Sequence, residues 1–371
     1  WDGARRRGLI VLPTGAGKTR VALAAIARTG ARTLCLVPTR VLLHQWRAAL
    51  EDALETQVGV WGDGHRTRAD VMVATFEGAA RAMDLLGSGF ELLVIDEAHH
   101  LGGTAGEEIL EMSSAPCRLG LTATPPVGPT LDRLVARIGP IVCEQHVSDL
   151  SGTWLAPLHR VVIRVQLEPD ERRDWERERA TFRRFADPFR DLHPAAGWAD
   201  RVHAAMRTDE GRRAIASWRA ARERLAYPAQ KSRALGLLLD RHHETRALVF
   251  VADNRAAYAV ARDHLVWPLT CEVQRAERER ALRLFKDGAI RALVSARVLN
   301  EGIDVPDAHV GIVLGSAQGE REHVQRAGRV LRPAPGKDRA LLYELTTDAT
   351  TEAYAAERRA RALGVGESGP E

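Results

Sequence analysis

A glycine-rich segment near the amino terminus has the residues needed to bind a polyphosphate. The sequence PTGAGKT occupies positions 13–19, between an apolar run and a helix-like run. Its glycines let backbone N–H groups turn toward phosphate oxygens, Lys18 supplies a compact ammonium, and the Thr19 hydroxyl can ligate Mg²⁺. The segment predicts a nucleoside-triphosphate site, although Leu12 stands where the usual pattern has its first glycine. The predicted binding residues are Thr14, Gly15, Ala16, Gly17, Lys18 and Thr19.

The composition supports a specific role for Lys18 in phosphate binding. The chain contains 53 lysines and arginines, and only four of them are lysines. A planar guanidinium is too broad for a backbone turn that needs a point charge, so a lysine at this position is what phosphate binding requires. A plain glycine turn between a strand and a helix is the alternative interpretation.

Two adjacent carboxylates, Asp96 and Glu97, follow a second apolar run at positions 92–95. In phosphoryl transfer, Asp96 would hold Mg²⁺ through water, and Glu97 would orient and deprotonate the attacking water. An acidic pair after a strand is as commonly a helix cap. The presence of Lys18 upstream favours the catalytic interpretation.

Hydroxyl groups follow a third predicted strand, in the segment LTAT at 121–124. Thr122 and Thr124 lie on a tight turn before Pro125, which in isolation is typical of an ordinary loop. His99 lies where a switch residue can sense a second domain.

A basic cluster, QRAGRVLR at 325–332, lies in the carboxyl-terminal half. Its arginines recur every three residues, a spacing that can aim guanidinium groups across a cleft at a γ-phosphate. Such groups act only when two domains close, which couples hydrolysis to movement. An exposed basic helix is the alternative. The predicted catalytic residues are Lys18, Asp96, Glu97, Gln325, Arg329 and Arg332.

The elements that carry these residues alternate between strand and helix. Apolar runs alternate with helix-like segments over residues 8–142 and again after residue 228, as in βαβ units on a parallel sheet. Ligand-binding residues are expected at the carboxyl ends of such strands. The sequence predicts an α/β fold with two parallel-sheet domains in tandem and a helical insert. The predicted ranges are 1–150 for the first domain, 151–228 for a linker and the insert, and 229–371 for the second domain.

Within the insert, Trp175, Phe182, Phe185 and Phe189 fall on one face of a helix. A helical hairpin that packs its own apolar stripe is favoured over base stacking. The turn of that hairpin is predicted at Pro188, Pro194 and Gly197.

Composition excludes several classes of protein. The 371 residues are 45% hydrophobic and 27% charged, without a run of eighteen apolar residues, so a globular protein with no membrane association is expected. Four scattered cysteines favour neither a zinc site nor a disulfide framework. A cytoplasmic location is expected, nucleoid-associated in a bacterium or archaeon. The net charge of +4 permits a polyanionic partner without requiring one.

The ordered motifs resemble those of superfamily 2 helicases with a DEAH box: PTGAGKT at 13–19, DEAH at 96–99, LTAT at 121–124, EGID at 301–304 and QRAGRVLR at 325–332. Within that superfamily, RLGLTATP at 118–125 and VLNEGIDVPDAHV at 298–310 are similar to the XPB branch, named for the xeroderma pigmentosum group B helicase.

The resemblance implies two RecA-like domains with ATP and Mg²⁺ between them, a nucleic-acid strand across their top, and a thumb formed by the helical insert. It implies that Asp304 contacts the nucleotide ribose. Coupling of hydrolysis to motion would involve His99, Thr122, Thr124 and Gly302. The residues expected to contact nucleic acid are Thr39, Arg40, Thr75 and Ser295, with Arg183 and Arg184 as candidates in the thumb, where a solvated face is the alternative.

We therefore expect an ATP-dependent translocase or helicase that acts on DNA as a monomeric motor, with a nuclease or repair factor as a fitting protein partner. The segment PPVGPT at 125–130 stands where XPB relatives carry an Arg-Glu-Asp element implicated in unwinding, which leaves strand separation open. Residues upstream are expected to belong to the protein. The alternatives are an RNA-directed or protein-displacing motor of the same superfamily, and a nucleic-acid-binding scaffold without turnover.

Overall fold

The computed structural model describes residues 1–296, 308–315, 337–352 and 354–357, together with residues 328 and 330. These residues form two largely parallel β-sheets covered by helices, and a group of three helices that lies between two strands of the second sheet in sequence. The predicted α/β fold with two sheet domains and a helical insert is confirmed.

The first domain contains an eight-stranded sheet. Its strands are β1 (Arg7–Val11), β2 (Thr33–Val37), β3 (Gly59–Gly62), β4 (His65–Thr67), β5 (Val71–Thr75), β6 (Leu92–Ile95), β7 (Cys117–Thr122) and β8 (Ile141–Glu144). Their spatial order is β4-β3-β5-β2-β6-β7-β1-β8, and only the β3–β4 pair is antiparallel. The inner strands are nearly continuous apolar runs because both faces of a parallel sheet are covered.

Helices cover both faces of this sheet. They are α1 (Lys18–Thr29), α2 (Arg40–Leu54), α3 (Phe76–Ala80), α4 (Met83–Leu86), α5 (Thr104–Met112), α6 (Pro129–Ile138) and two 3-10 helices (Asp2–Ala4 and Ala98–Gly102). The short helix α7 (Val147–Leu150) follows β8, and its Val147 and Leu150 pack instead in the apolar core of the second domain. Successive side chains of β1 enter different cores, Leu9 on one face of the sheet and Ile10 on the other. The sheet is thereby held rigidly between two apolar layers.

The insert consists of three helices, α8 (Pro169–Leu192), α9 (Trp198–Ala205) and α10 (Asp209–Ala226). The prediction that Pro188 lies in a turn is wrong, because Pro188 lies inside α8. Phe185 and Phe189, on either side of it, stack at a centroid distance of 6.5 Å and keep the apolar stripe continuous. The chain turns between α8 and α9, where Pro194 and Gly197 lie.

The described residues of the second domain form a six-stranded parallel sheet. Its strands are β9 (Leu158–Val165), β10 (Ala247–Val251), β11 (Trp267–Leu269), β12 (Ala292–Ser295), β13 (Val310–Leu314) and β14 (Ala340–Thr347), in the spatial order β11-β12-β10-β13-β14-β9. The described helices of this domain that follow the insert include α11 (Ala229–Arg241), α12 (Asn254–His264) and α13 (Arg275–Lys286).

Strand β9 corrects one predicted boundary, because residues 158–165 were assigned to the linker and in fact form an edge of the second sheet. A buried ion pair fixes this strand: Arg160 Nε donates to Glu344 Oε1 of β14 at 2.7 Å, and the two side chains are 2% and 0% exposed. Arg160 Nη2 also donates to the carbonyl of Ala356. Charges this deeply buried require such partners, so the pair specifies where β9 joins the sheet.

The substitution Glu344→Gln is expected to lower the free energy of unfolding of the second domain by roughly 3 kcal/mol, because it leaves the buried Arg160 guanidinium without its carboxylate. Urea unfolding followed by circular dichroism measures this loss. Glu279→Gln is the matched control, since Glu279 pairs with Arg275 on an exposed helix surface and should barely move the transition. Equal midpoints for the two variants would contradict the structural role of the pair.

Candidate active site

The phosphate-binding segment joins the end of β1 to the start of α1. Gly15 and Gly17 both have φ of +89°, a left-handed conformation that glycine adopts without the steric cost of a Cβ. Gly17 caps α1, so the first N–H groups of that helix point into the turn. Lys18 Nζ lies 3.3 Å from the carbonyl oxygen of Leu12 and folds back over the turn. The backbone is shaped to bind an anion at a helix N-terminus.

The sheet register brings the other predicted catalytic groups to the same edge. Val11 of β1 pairs with Thr122 of β7, and Ile95 of β6 pairs with Gly120 of β7. The backbone N–H of Leu12 donates to the carbonyl of Thr122 at 3.0 Å. The phosphate segment, the acidic pair and the threonine turn therefore follow three neighbouring strands, in the order β6-β7-β1.

Asp96 is buried and held by two hydrogen bonds. The indole N–H of Trp46, on α2, donates to its Oδ2 at 2.8 Å, and the backbone N–H of Glu97 donates to its Oδ1 at 3.0 Å. Burial raises the pKa of Asp96 from 3.8 to about 6, and the neighbouring Glu97 carboxylate adds to the rise. The Lys18 charge and the Trp46 hydrogen bond oppose it. A carboxylate so enclosed is suited to a bound cation.

Sequence reasoning missed Trp46. The available signal was chemical: a tryptophan on an apolar helix face needs an acceptor for its indole N–H when it is buried. In this structure Trp46 fixes the orientation of the Asp96 carboxylate.

Glu97 has φ of +49°, which is strained for a residue with a side chain and costs on the order of 1–3 kcal/mol. Its Oε2 lies 3.4 Å from His99 Nδ1. The positive φ of Glu97 turns the chain sharply after β6. Asp96 and Glu97 are thus both accommodated within one turn at the sheet edge.

His99 connects the acidic pair to the threonine turn. Its Nδ1 lies 3.0 Å from Thr122 Oγ1, and that hydroxyl donates to the carbonyl of Thr124 at 3.1 Å. Because the Thr122 proton is used in this way, the geometry favours a protonated Nδ1 on His99. A movement of the acidic turn is therefore transmitted to the threonine turn, and a movement of the threonine turn is transmitted to the acidic turn.

Several buried polar atoms at this edge have no hydrogen-bond partner within the described part of the chain. They include Thr14 Oγ1 after β1, Glu97 Oε2 after β6 and Thr124 Oγ1 after β7. Buried oxygens without partners usually indicate a ligand, a water or an ion. Together with the half-buried Lys18 and Thr19, these oxygens fit a nucleoside triphosphate with Mg²⁺.

The second domain touches the phosphate segment at Gly328. A Cβ added to Gly328 would lie 2.5 Å from Thr14 Cβ and 2.6 Å from the carbonyl oxygen of Thr14. Ala16 packs against the apolar core that contains Val330 and Phe250 of the second domain. Gly328 therefore lies directly on the triphosphate segment. Five predicted site residues lie outside the described residues: Gly302, Asp304, Gln325, Arg329 and Arg332.

The predicted nucleic-acid contacts are placed as follows. Thr39 caps α2 by accepting from the Leu42 N–H at 3.3 Å, and Thr75 caps α3 by accepting from the Gly78 N–H at 3.0 Å. Ser295 is buried at the end of β12, and its hydroxyl has no partner among the described atoms. Arg183 and Arg184 are exposed on α8.

Arg40 belongs to a charged cluster that the sequence did not reveal. Its Nη1 lies 3.4 Å from Asp63 Oδ1, and His44 Nε2 lies 2.9 Å from Asp63 Oδ2. The hydrogen bond from His44 lowers the pKa of Asp63, and the charges of Arg40 and of Arg275 in the second domain act in the same direction. This cluster lies after β3, where the two domains approach each other.

No cluster of three or more histidine, cysteine, aspartate or glutamate side chains suited to a metal occurs among the described residues. No helix among them is long and apolar enough to cross a membrane.

Known proteins resemble this chain over nearly its whole length. Residues 2–127 match the family described as type III restriction enzyme, res subunit, and residues 230–334 match the helicase conserved C-terminal domain. The DNA 3'-5' translocase XPB2 of Sulfurisphaera tokodaii is 33% identical, over 96% of this chain and 81% of its own length. The DNA 3'-5' helicase XPB of Mycobacterium tuberculosis is 28% identical, over 97% of this chain and 61% of its own length.

A solved structure resembles the fold. The helicase domain of Hef from Pyrococcus furiosus aligns with a TM-score of 0.63 at 19% identity, covering 96% of both chains. The prediction of two RecA-like domains in tandem agrees with this likeness.

The substitution Asp96→Asn is expected to stabilise the first domain by about 1–2 kcal/mol at pH 7.5, in buffer without nucleotide or divalent metal. Asp96 is charged in both folded and unfolded states at that pH, and folding disfavours its charge by about 1.4 kcal/mol for each unit by which the folded pKa exceeds the unfolded pKa. This gain in stability is reduced because the two oxygens of Asp96 each accept a hydrogen bond, whereas an asparagine side chain has one oxygen that can accept.

The stabilisation should shrink at pH 5. Below about pH 6 the folded parent takes up a proton on Asp96 and recovers stability that it lacks at higher pH. Thermal unfolding at the two pH values measures the difference, with Asp52→Asn on the exposed surface of α2 as the control. A gain for Asp96→Asn that is the same at both pH values would contradict the assigned pKa.

Proposed function

This chain belongs to the XPB family of DNA 3'-5' translocases and helicases, and we propose that it hydrolyses ATP between its two RecA-like domains to move along DNA. The observation that carries the proposal is the seating of Gly328 on Thr14, since it brings the second domain against the triphosphate segment. A motor of this kind needs the nucleotide to be completed by groups from both domains.

In the proposed site, the turn at Gly15 and Gly17 and the Lys18 ammonium bind the β- and γ-phosphates. Thr19 and Asp96 would hold Mg²⁺, which when bound neutralises charge on the phosphate oxygens. Glu97 orients the attacking water and accepts its proton. The strained turn at Glu97 and the indole donor on Asp96 support this division of roles, since they hold the two carboxylates in separate environments.

The second domain completes the site in our proposal through residues that flank Gly328. Gln325, Arg329 and Arg332 would approach the γ-phosphate, and their charge would be delivered only when the domains close. Asp304 would contact the ribose. The contact between Gly328 and Thr14 supports this arrangement because it brings the second domain against the segment that contains Lys18.

Hydrolysis would be coupled to movement through the link between His99 and Thr122. Loss of the γ-phosphate removes a charge beside Glu97, and the 3.0 Å contact between His99 and Thr122 passes the change to the Thr124 turn. Gly302 is proposed to serve the same coupling from the second domain.

DNA would cross the carboxyl-terminal edges of the two sheets. Thr39, Thr75, Arg40 and Ser295 are proposed to hold its sugar-phosphate backbone. The N–H groups in the first turns of α2 and α3 that the threonine side chains do not cap could also donate to phosphate. The unpartnered buried hydroxyl of Ser295 supports a ligand at the end of β12. Contacts of this kind do not read bases, so an RNA-directed motor remains the rival within enzymes.

We propose that the protein acts on DNA as a monomer, in the cytoplasm or at the nucleoid. Its proposed protein partner is a nuclease or a repair factor. The segment at 125–130 lacks the charged element of XPB relatives, so translocation is the proposed activity and strand separation its extension. A scaffold without turnover is the rival of another class, against which the intact Lys18 and Glu97 argue.

The substitution Lys18→Ala is expected to abolish ATP hydrolysis, because it removes the cation that binds the transferring phosphate. Lys286→Ala, an exposed lysine at the end of α13, is the matched control and should hydrolyse at the parental rate. Arg329→Ala should lower turnover by about 10³-fold or more while ATP binding is nearly intact. Parental hydrolysis by Arg329→Ala would disprove the two-domain site.

The same ATPase assay with single-stranded DNA, duplex DNA and RNA identifies the track. Stimulation by DNA is expected because the chain belongs to a family of DNA motors. Stimulation by RNA alone would favour an RNA-directed motor. A lack of hydrolysis with every nucleic acid would favour a nucleic-acid-binding scaffold without turnover.

A further inference from the structure

The helical insert lines a partly open cavity that the ATPase site does not use, and Thr351 of the second domain also borders it. It has a volume of about 320 Å³ and lies among α8, α9 and α10. Six aromatic side chains line it: Trp175, Phe182, Phe185, Phe189, Trp198 and Trp218. So many rings around an open space are unusual for packing alone, because protein cores are normally filled.

The rings are arranged so that one of them offers a surface to a ligand. The centroids of Trp198 and Trp218 are 4.7 Å apart at 41°, and Phe182 lies 6.3 Å from Trp198 at 55°. Trp198 remains 45% exposed although it lies among these rings. A planar ligand that enters beside Trp198 can therefore stack on the exposed part of this indole, which Trp218 contacts from within the cavity.

The cavity is also strongly basic. Among the described residues, five arginines line it together with one aspartate, Asp187, which pairs with Arg190 at 3.2 Å and leaves four arginines in excess. Two of the arginines stand over indole rings, Arg179 over Trp175 at 4.9 Å and Arg222 over Trp218 at 4.6 Å. A site that combines stacked guanidinium groups with aromatic rings favours a ligand that is both planar and anionic.

We propose that this cavity binds one unstacked nucleobase of the nucleic-acid track, with the adjoining phosphates on the arginines at its rim. The proposal rests on the proposed function, which supplies a nucleic acid. Bases stack on aromatic side chains in a sequence-tolerant way, and arginine binds phosphate with paired donors. The volume lies at the lower end of the roughly 300–1,000 Å³ found for small-ligand sites, which suits one ring system and excludes a peptide helix.

The insert would thus hold the strand through a base, whereas the two sheets hold its backbone. A base in the cavity would resist slippage of the strand while the domains open. Binding of a base in the cavity does not require ATP.

The test compares two single strands of equal length and charge, one intact and one with abasic sites at its central positions. Binding to the full chain is measured by fluorescence anisotropy without ATP. The parent is expected to bind the intact strand about tenfold more tightly, a difference of about 1.4 kcal/mol, which is within the usual range for one stacked base. Trp198→Ala should abolish that preference, and Trp198→Phe should retain most of it.

Trp154→Ala is the matched control, because it removes an indole that is 67% exposed and lies outside the insert. It should keep the parental preference for the intact strand. Thermal unfolding confirms that each variant is folded. The proposal is overturned if Trp198→Ala keeps the preference, or if it weakens binding of both strands equally.

The outcome can be separated from that of the motor proposal. Lys18→Ala should retain the preference for the intact strand although it does not hydrolyse ATP. If the parental ATPase ignored DNA while Trp198→Ala still lost the preference, the motor proposal would fail and the base site would stand.

Discussion

The register of three neighbouring strands is the constraint on which the site depends. Because β6, β7 and β1 are parallel and pair in register, the segments that follow them emerge at one edge of the first sheet. That edge then carries an ammonium, two carboxylates and the hydroxyls of four threonines. The sheet is buried on both faces, so a one-residue slip would exchange its two cores and is strongly disfavoured. The functional side chains at this edge are therefore positioned by apolar packing in the two cores, which lie away from the site.

The electrostatics of this edge show that it is built for a ligand. Asp96 is buried where its charge is unfavourable, and the Trp46 indole and Lys18 offset only part of the cost. Glu97 occupies a strained backbone conformation, and buried oxygens on three segments have no hydrogen-bond partner among the described residues. Each feature lowers stability without a nucleotide. Together they fit a site whose free energy is recovered when cations and phosphates are bound.

The sequence predicted much of this and missed the rest for physical reasons. The phosphate segment and the acidic pair were predictable because their chemistry requires fixed residue types at fixed spacing. Strand β9 was missed because its pairing depends on the buried contact between Arg160 and Glu344, 184 residues apart. Pro188 was misplaced because packing of the aromatic stripe outweighs local helix propensity. The role of Trp46 could not be read from spacing, since α2 and β6 meet only in the folded sheet.

The central claim is that turnover requires the second domain to lie on the phosphate segment at Thr14. The most direct measurement is the maximal ATPase rate, with DNA, of Gly328→Ala, whose added methyl would meet the Thr14 backbone. Gly3→Ala is the control, since a Cβ there has no heavy atom within 4 Å. We expect Gly328→Ala to lose at least about tenfold in rate, or 1.4 kcal/mol in activation free energy, while Gly3→Ala keeps the parental rate. A parental rate for a folded Gly328→Ala variant would contradict the account.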